Sequence, residues 1–168
     1  MSISESELEI LKQKIALAFT NVSYPKAEIA PHDCDECREV SRTFANQDWK
    51  TISSKILEEN YGNISLLSSE AFHYFLPAFL IYSLNNFNDN FVCEFTIYSV
   101  SPSKKDIKER LDFWQYKFEH FSLEQINVVY EFLDLVEMKK DDYFHLLEKQ
   151  IITGKEMLKK FIEPILKK

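Results

Sequence analysis

Ser68–Leu84, SSEAFHYFLPAFLIYSL, is the most apolar stretch of the chain and decides its fold. Phe72, Phe75, Leu76, Phe79 and Leu80 recur at the i, i+3, i+4, i+7 and i+8 spacing of one helical face. Tyr74, Ile81, Tyr82 and Leu84 lie off that face and are also apolar or aromatic. A helix that is sticky on more than one side has to be wrapped by others, because only burial removes that surface from water. The spacing therefore predicts a central helix. Ser68 or Ser69 caps its start, and Glu70 stands near the positive end of the helix dipole. Pro77 removes the hydrogen bond to the carbonyl of His73 and is expected to bend the rod.

Toward the N-terminus, Ser4-Glu5-Ser6-Glu7 reads as a capping box that opens a helix striped with Leu8, Leu11, Ile15 and Phe19. Tyr24-Pro25 and Pro31 then mark a loop, assigned to residues 22–37. A second helix runs from Asp35 to about Asn46 with Cys37, Val40 and Phe44 inward. Trp49, Ile52, Ile56 and Leu57 suggest a third, ending before Tyr61-Gly62-Asn63.

Beyond the central helix, Asn85–Asn90 is a polar turn. In Phe91–Val100, FVCEFTIYSV, Cys93, Phe95 and Ile97 alternate with Val92, Glu94 and Thr96, which favours an extended strand. The chain offers that strand no partner, so it lies over the helices or pairs with another molecule. Ser101-Pro102 opens a helix striped with Ile107, Leu111, Trp114, Phe118 and Phe121. Ser122–Gln125 is a further capping box, leading into Ile126, Val129, Tyr130, Leu133 and Val136. Asp141 or Asp142 caps Tyr143–Ile152, and Gly154 ends that helix. A last amphipathic helix carries Met157, Leu158, Phe161, Ile162 and Ile165, with Pro164 near its end. The expected fold is mainly α: one helical domain over residues 1–168, with about seven helices and at most a small β element near Phe91–Val100.

Composition narrows the functional classes. At 168 residues and 45% hydrophobic content the chain has enough apolar surface for a real core. Its only glycines are Gly62 and Gly154, and GxGxxG, GxxxxGK[ST] and GxSxG are all missing. Phosphate-cradling loops need backbone positions that glycine occupies cheaply, so nucleotide-dependent enzymes and esterases rank low. The net charge of −7 falls wholly within residues 1–100, which hold seven Lys/Arg and fourteen Asp/Glu. That half is the reverse of a nucleic-acid surface. The late lysines read as complements to a helix C-terminus. Met1–Glu9 is polar and acidic, unlike a signal peptide, and no apolar run is long enough for a membrane span. With three cysteines and no disulfide framework, a cytoplasmic protein is expected.

One constellation carries chemistry: His32-Asp33-Cys34-Asp35-Glu36-Cys37. A Cys-x-x-Cys pair brings two thiolates to one metal, and His32 is near enough to add an imidazole nitrogen. Tetrahedral zinc needs a fourth ligand, for which Cys93 is chemically the best candidate, followed by His73, His120 and Asp33. The pattern is half a zinc signature. Two other readings stay open, a loop of reduced cysteines without metal and a redox or nucleophilic cysteine. Asp33, Asp35, Glu36 and Glu39 count against the last, because negative neighbours disfavour a thiolate. Cys93 taken alone reads as a small buried hydrophobe. His73, His120 and His145 have packing explanations, and Trp49 and Trp114 read as core aromatics.

The segments AFTNVSYP (Ala18–Pro25), HDCDEC (His32–Cys37), the Phe44…Trp49 pair and LLSSEAFHYFLPAFL (Leu66–Leu80) together resemble a family of small bacterial proteins, a domain of unknown function. The resemblance covers about residues 16–135, with the helix reading AFxYFLPAF as its most specific part. It implies a bacterial cytoplasmic origin and a shared pattern that includes His32, Cys34, Cys37, Phe72, Leu76 and Pro77. It implies no activity, cofactor or catalytic residue.

The leading functional expectation is a noncatalytic protein-binding domain, of immunity or regulatory type, whose acidic N-terminal half meets a basic partner surface. No catalytic set is recognisable, so the reading leans away from an enzyme. The alternative is a zinc-binding module, or a zinc-dependent enzyme, built on His32, Cys34 and Cys37. Neither nucleic acid nor membrane is expected as a partner. The chain is expected to be a monomer or a weak homodimer joined through Phe91–Val100 or the C-terminal stripe.

Overall fold

The computed structural model of the protein describes residues 3–87, 90–138 and 147–166. Among them are nine α-helices: α1 (Glu5–Ala18), α2 (Asp35–Phe44), α3 (Ser54–Glu59), α4 (Ser69–Asn85), α5 (Asn90–Val100), α6 (Lys104–Glu109), α7 (Leu111–Lys117), α8 (Leu123–Met138) and α9 (Glu148–Leu166). A 3-10 helix, Tyr61–Leu66, joins α3 to α4, and no strand occurs among the described residues. The architecture is a compact, mainly α arrangement, as the apolar stripes require.

Helix α4 sits at the centre and packs against α1, α3, α5 and α7. Thirteen of its seventeen residues are buried, and Phe72, Phe75, Leu76 and Phe79 are wholly enclosed. Ser68 caps it by accepting a hydrogen bond from the Ala71 amide at 3.2 Å, and the helix continues through Pro77. Edge-to-face aromatic contacts tie it to its neighbours, among them Phe75 on Phe44 (4.9 Å) and Phe72 on Phe118 (5.8 Å). Helix α1 opens with the expected capping box. Ser4 Oγ accepts from the Glu7 amide, while the Ser4 amide donates to the Glu7 carboxylate at 2.8 Å. The α8 box forms equally, between Ser122 and Gln125.

Four local expectations are corrected. Phe91–Val100 is helix α5 and not a strand. Its buried residues are Val92, Cys93, Thr96, Ile97, Ser99 and Val100, a helical stripe hidden behind the β-branched composition. Packing on α4 overrides β propensity here, and the buried hydroxyls are satisfied within the helices. Thr96 Oγ1 donates to the Val92 carbonyl (2.7 Å) and Ser83 Oγ to that of Phe79 (2.8 Å).

The helix expected from Ser101-Pro102 is instead two short ones. Ser103 caps α6 in a box with Asp106, and Arg110, at φ −136° and ψ 30°, ends α6 and starts α7. The third helix begins only at Ser54, leaving Trp49 buried ahead of it. Gly154 does not end a helix: α9 runs through it. Its function is close approach, since a Cβ there would stand 2.1 Å from Ser101 Oγ. The expected caps Asp141 and Asp142, and His145, lie outside the described residues.

Candidate metal centre

The loop after α1 is held to the core before the cysteine motif begins. The Glu70 carboxylate accepts from the Lys26 amide (2.9 Å) and the Ala27 amide (3.2 Å), and these two bonds lower its pKa from the ordinary value. The Ser68 amide donates to the Ile29 carbonyl at 2.8 Å, and the Ala30 amide to Ser41 Oγ at 3.2 Å. Pro31 then delivers His32 to the surface, and Cys34 becomes the N-cap of α2.

This local geometry explains the Cys-x-x-Cys spacing. Cys34 Sγ takes the place of a capping oxygen and accepts from the Cys37 amide at 3.4 Å, while Cys37 occupies the first turn of α2. An N-cap residue and the residue three positions on share one side of a helix start. Both sulfurs are thereby brought together beside the helix's positive end. The ligand atoms of His32, Cys34 and Cys37 all lie within 4.8 Å of one another. Cys34 is half-buried and Cys37 buried, whereas His32 is exposed, and none of the three cysteines is in a disulfide.

The two thiols differ electrostatically. A hydrogen bond with His32, followed by those from the Cys37 amide and side chain, lowers the Cys34 pKa. Burial, followed by the hydrogen bond to Cys34, raises that of Cys37. Of the two thiols, Cys34 is therefore the easier to deprotonate. Of the acidic neighbours that counted against a thiolate, Asp33 and Asp35 are bound by Arg38, the latter at 2.6 Å, whereas the Glu36 charge still adds to the raising of the Cys37 pKa.

The other proposed ligands do not join the three. Asp33 is engaged by Arg38, and Cys93 is fully buried on α5. His73 and His120 form a separate polar group. His73 Nε2 meets Gln125 Oε1 at 2.8 Å, His120 Nε2 meets Ser69 Oγ at 3.1 Å, and the two imidazoles stack at 6.1 Å. Burial lowers the His73 pKa from its ordinary value, which disfavours the charged ring. The second helix starts at Asp35 as its sequence predicts, so Asp35–Cys37 at the end of the segment assigned to residues 22–37 are helical.

Sequence reading missed two features. Gln125 joins three elements: beyond its box with Ser122 and its contact with His73, its Nε2 donates to the Ala18 carbonyl at 3.0 Å. Lys117 is buried among aromatic rings, a placement hinted at only by its position three residues after Trp114.

No helix among the described residues is long and apolar enough to cross a membrane. Searches of curated proteins and of solved structures returned no match. A protein-family model described as "Family of unknown function (DUF6714)" matches residues 12–152. The match extends past the resemblance at residues 16–135 on both sides and takes in the first turn of α9. By that match, spanning most of its length, the chain belongs to this family of unknown function.

Proposed function

We propose that the chain binds one zinc ion through His32 Nδ1 or Nε2, Cys34 Sγ and Cys37 Sγ. The observation that carries this reading is the convergence of the three ligand atoms within 4.8 Å. Ligand atoms around tetrahedral zinc stand roughly 3.3–3.8 Å apart, so a small closure of the exposed His32 completes the face. A thiolate-rich set prefers zinc to magnesium or calcium. Three protein ligands leave one position for water or for a side chain from a partner. The site's role in this reading is to lock the loop of residues 22–34 onto α2, since metal binding energy becomes folding energy. Bacterial origin and cytoplasmic location belong to the same proposal, because a reducing compartment keeps Cys34 and Cys37 available to metal.

The test is zinc titration of the reduced full-length protein against a chromophoric chelator. One equivalent is expected, with Cys34→Ser and Cys37→Ser each weakening binding at least tenfold and Cys93→Ser leaving it unchanged. Binding unaltered in both motif variants would end the proposal.

A second reading is a noncatalytic protein-binding domain with a basic partner. It is favoured by a groove between α1 and α8, where Ile10 and Met138 are 55% and 52% exposed and Glu7, Glu131 and Asp134 form the rim. Lys14 and Lys155 already partly neutralise that rim, so the groove is less acidic than the sequence suggests. A partner recovered by pull-down should bind more weakly as salt rises. Recovery of none, or affinity indifferent to salt, would count against it.

A further inference from the structure

A second cleft lies on the opposite part of the sequence from the metal motif, between the 3-10 helix, α5, α6 and α7. It encloses about 490 Å³ and is lined by five aromatic side chains, Tyr61, Phe95, Tyr98, Phe113 and Trp114. That volume falls in the range of small-molecule sites. Lys117 also lines it, although the residue is only 5% exposed. The ammonium has no ion pair or hydrogen bond among the described residues. Its neighbours are ring faces: Nζ stands 4.2 Å from the Phe72 centroid, 5.3 Å from Trp114 and 5.9 Å from Phe113.

Buried charges are ordinarily paired, so a lone ammonium beneath a cleft is an unmet demand for an anion. A second unmet demand stands beside it. Trp114 Nε1 is buried without any acceptor. Two donors on side chains that line the cleft, one of them an amine, thus lack partners among the described residues.

The remaining charges set the valence. Arg110 stacks on Phe113 at 4.7 Å and faces Asp106 at 3.9 Å, and its positive charge is still felt at Lys117. Asp106 is further occupied by Ser103, which donates to it from both its amide and its hydroxyl. Lys117 is the lining amine with no carboxylate paired to it among the described residues. From these observations we infer that the cleft is a binding site for a small monocarboxylate with an aromatic or apolar body, its carboxylate accepting from Lys117 Nζ and Trp114 Nε1–H.

The aromatic walls supply the apolar contact. Tyr61 bridges Phe91 and Phe95, at 5.7 and 4.9 Å, and extends the lining toward the exposed side of α5. Burial also holds the Lys117 pKa down to about 7, so a bound carboxylate is expected to draw a proton back onto the amine. This site is independent of the zinc proposal, and failure of one leaves the other standing.

The test uses phenylacetate as probe and 2-phenylethanol as its uncharged counterpart, each titrated calorimetrically into the full chain at pH 6.5. Phenylacetate is expected to bind at least tenfold more tightly, the scale of one charge-assisted hydrogen bond. Lys117→Met should remove that preference while leaving the fold intact, and Lys117→Gln should do the same. On binding, the indole N–H proton resonance of Trp114 should move downfield as it gains an acceptor. Equal affinity for the two probes, phenylacetate affinity unchanged in either variant, or no binding of phenylacetate at millimolar concentration would each overturn the inference.

Discussion

Replacing Lys117 by methionine should make the protein more stable, and more so at neutral than at alkaline pH. The unfolded chain holds this amine at its ordinary pKa of 10.5, whereas burial lowers it to about 7 in the folded state. That depression corresponds to about 5 kcal/mol against the charged form. The Phe72 face at 4.2 Å offsets roughly 1–2 kcal/mol of this, leaving a net cost of about 3–4 kcal/mol. The sign follows from proton counting. Below the folded pKa both states are protonated and folding bears the whole cost. Between the folded and unfolded values the unfolded state binds more protons, so stability rises with pH. From pH 7 to pH 9 the wild type should therefore gain about 1–2 kcal/mol relative to Lys117→Met. Methionine, one atom shorter, keeps most of the side chain and its contact with the rings, without the charge. Urea unfolding of both proteins at pH 7 and pH 9 reads the difference directly. A variant less stable than wild type at pH 7, or a gap that does not narrow at pH 9, would refute the reasoning.

Three other perturbations have definite outcomes. Gly154→Ala should destabilise by about 1–2 kcal/mol despite alanine's better helix propensity, because its Cβ meets Ser101 Oγ at 2.1 Å. Ser101→Gly in the same chain should recover most of the loss, and thermal unfolding of the two variants and the double variant decides it. Cys34 should be alkylated by iodoacetamide at pH 7.5 well before Cys37 or Cys93, being half-buried with a lowered pKa. Peptide mapping showing equal rates for all three would contradict this. Glu70→Gln should speed hydrogen exchange at the Lys26 and Ala27 amides while leaving α8 protected. In the wild type the same contact should weaken as pH falls through the lowered Glu70 pKa, since it is made by the carboxylate. Exchange at those amides unchanged by the substitution would rule out that role.

The fold was legible wherever a helix had both periodicity and a local start signal. Helices α1 and α8 carry capping boxes, α4 carries a capping serine with apolar residues all round, and each forms where its pattern lies. Phe91–Val100 misleads because Cys93, Phe95 and Ile97 alternate, while the burial pattern that decides its state depends on α4 lying beneath it. The break at Arg110 has neither glycine nor proline to announce it. Gly154 looks like a terminator, because sequence alone does not say that Ser101 arrives beside it. At the candidate metal centre the ligand types and spacing were readable, and Cys34 as a cap explains why two intervening residues suffice. A fourth ligand was not readable, and Cys93 and His73 have burial and hydrogen bonding of their own. Lys117 escaped notice because one lysine beside an aromatic stripe ordinarily snorkels to water.

The central claim, that His32, Cys34 and Cys37 form a metal centre, is tested most directly by cobalt substitution. Addition of Co²⁺ to the reduced protein should give one equivalent of a tetrahedral species, with thiolate charge-transfer absorption and strong visible d–d bands. Zinc should bleach both, and Cys34→Ser should diminish the charge-transfer band. A weak octahedral spectrum without thiolate absorption, identical in wild type and Cys34→Ser, would contradict the account.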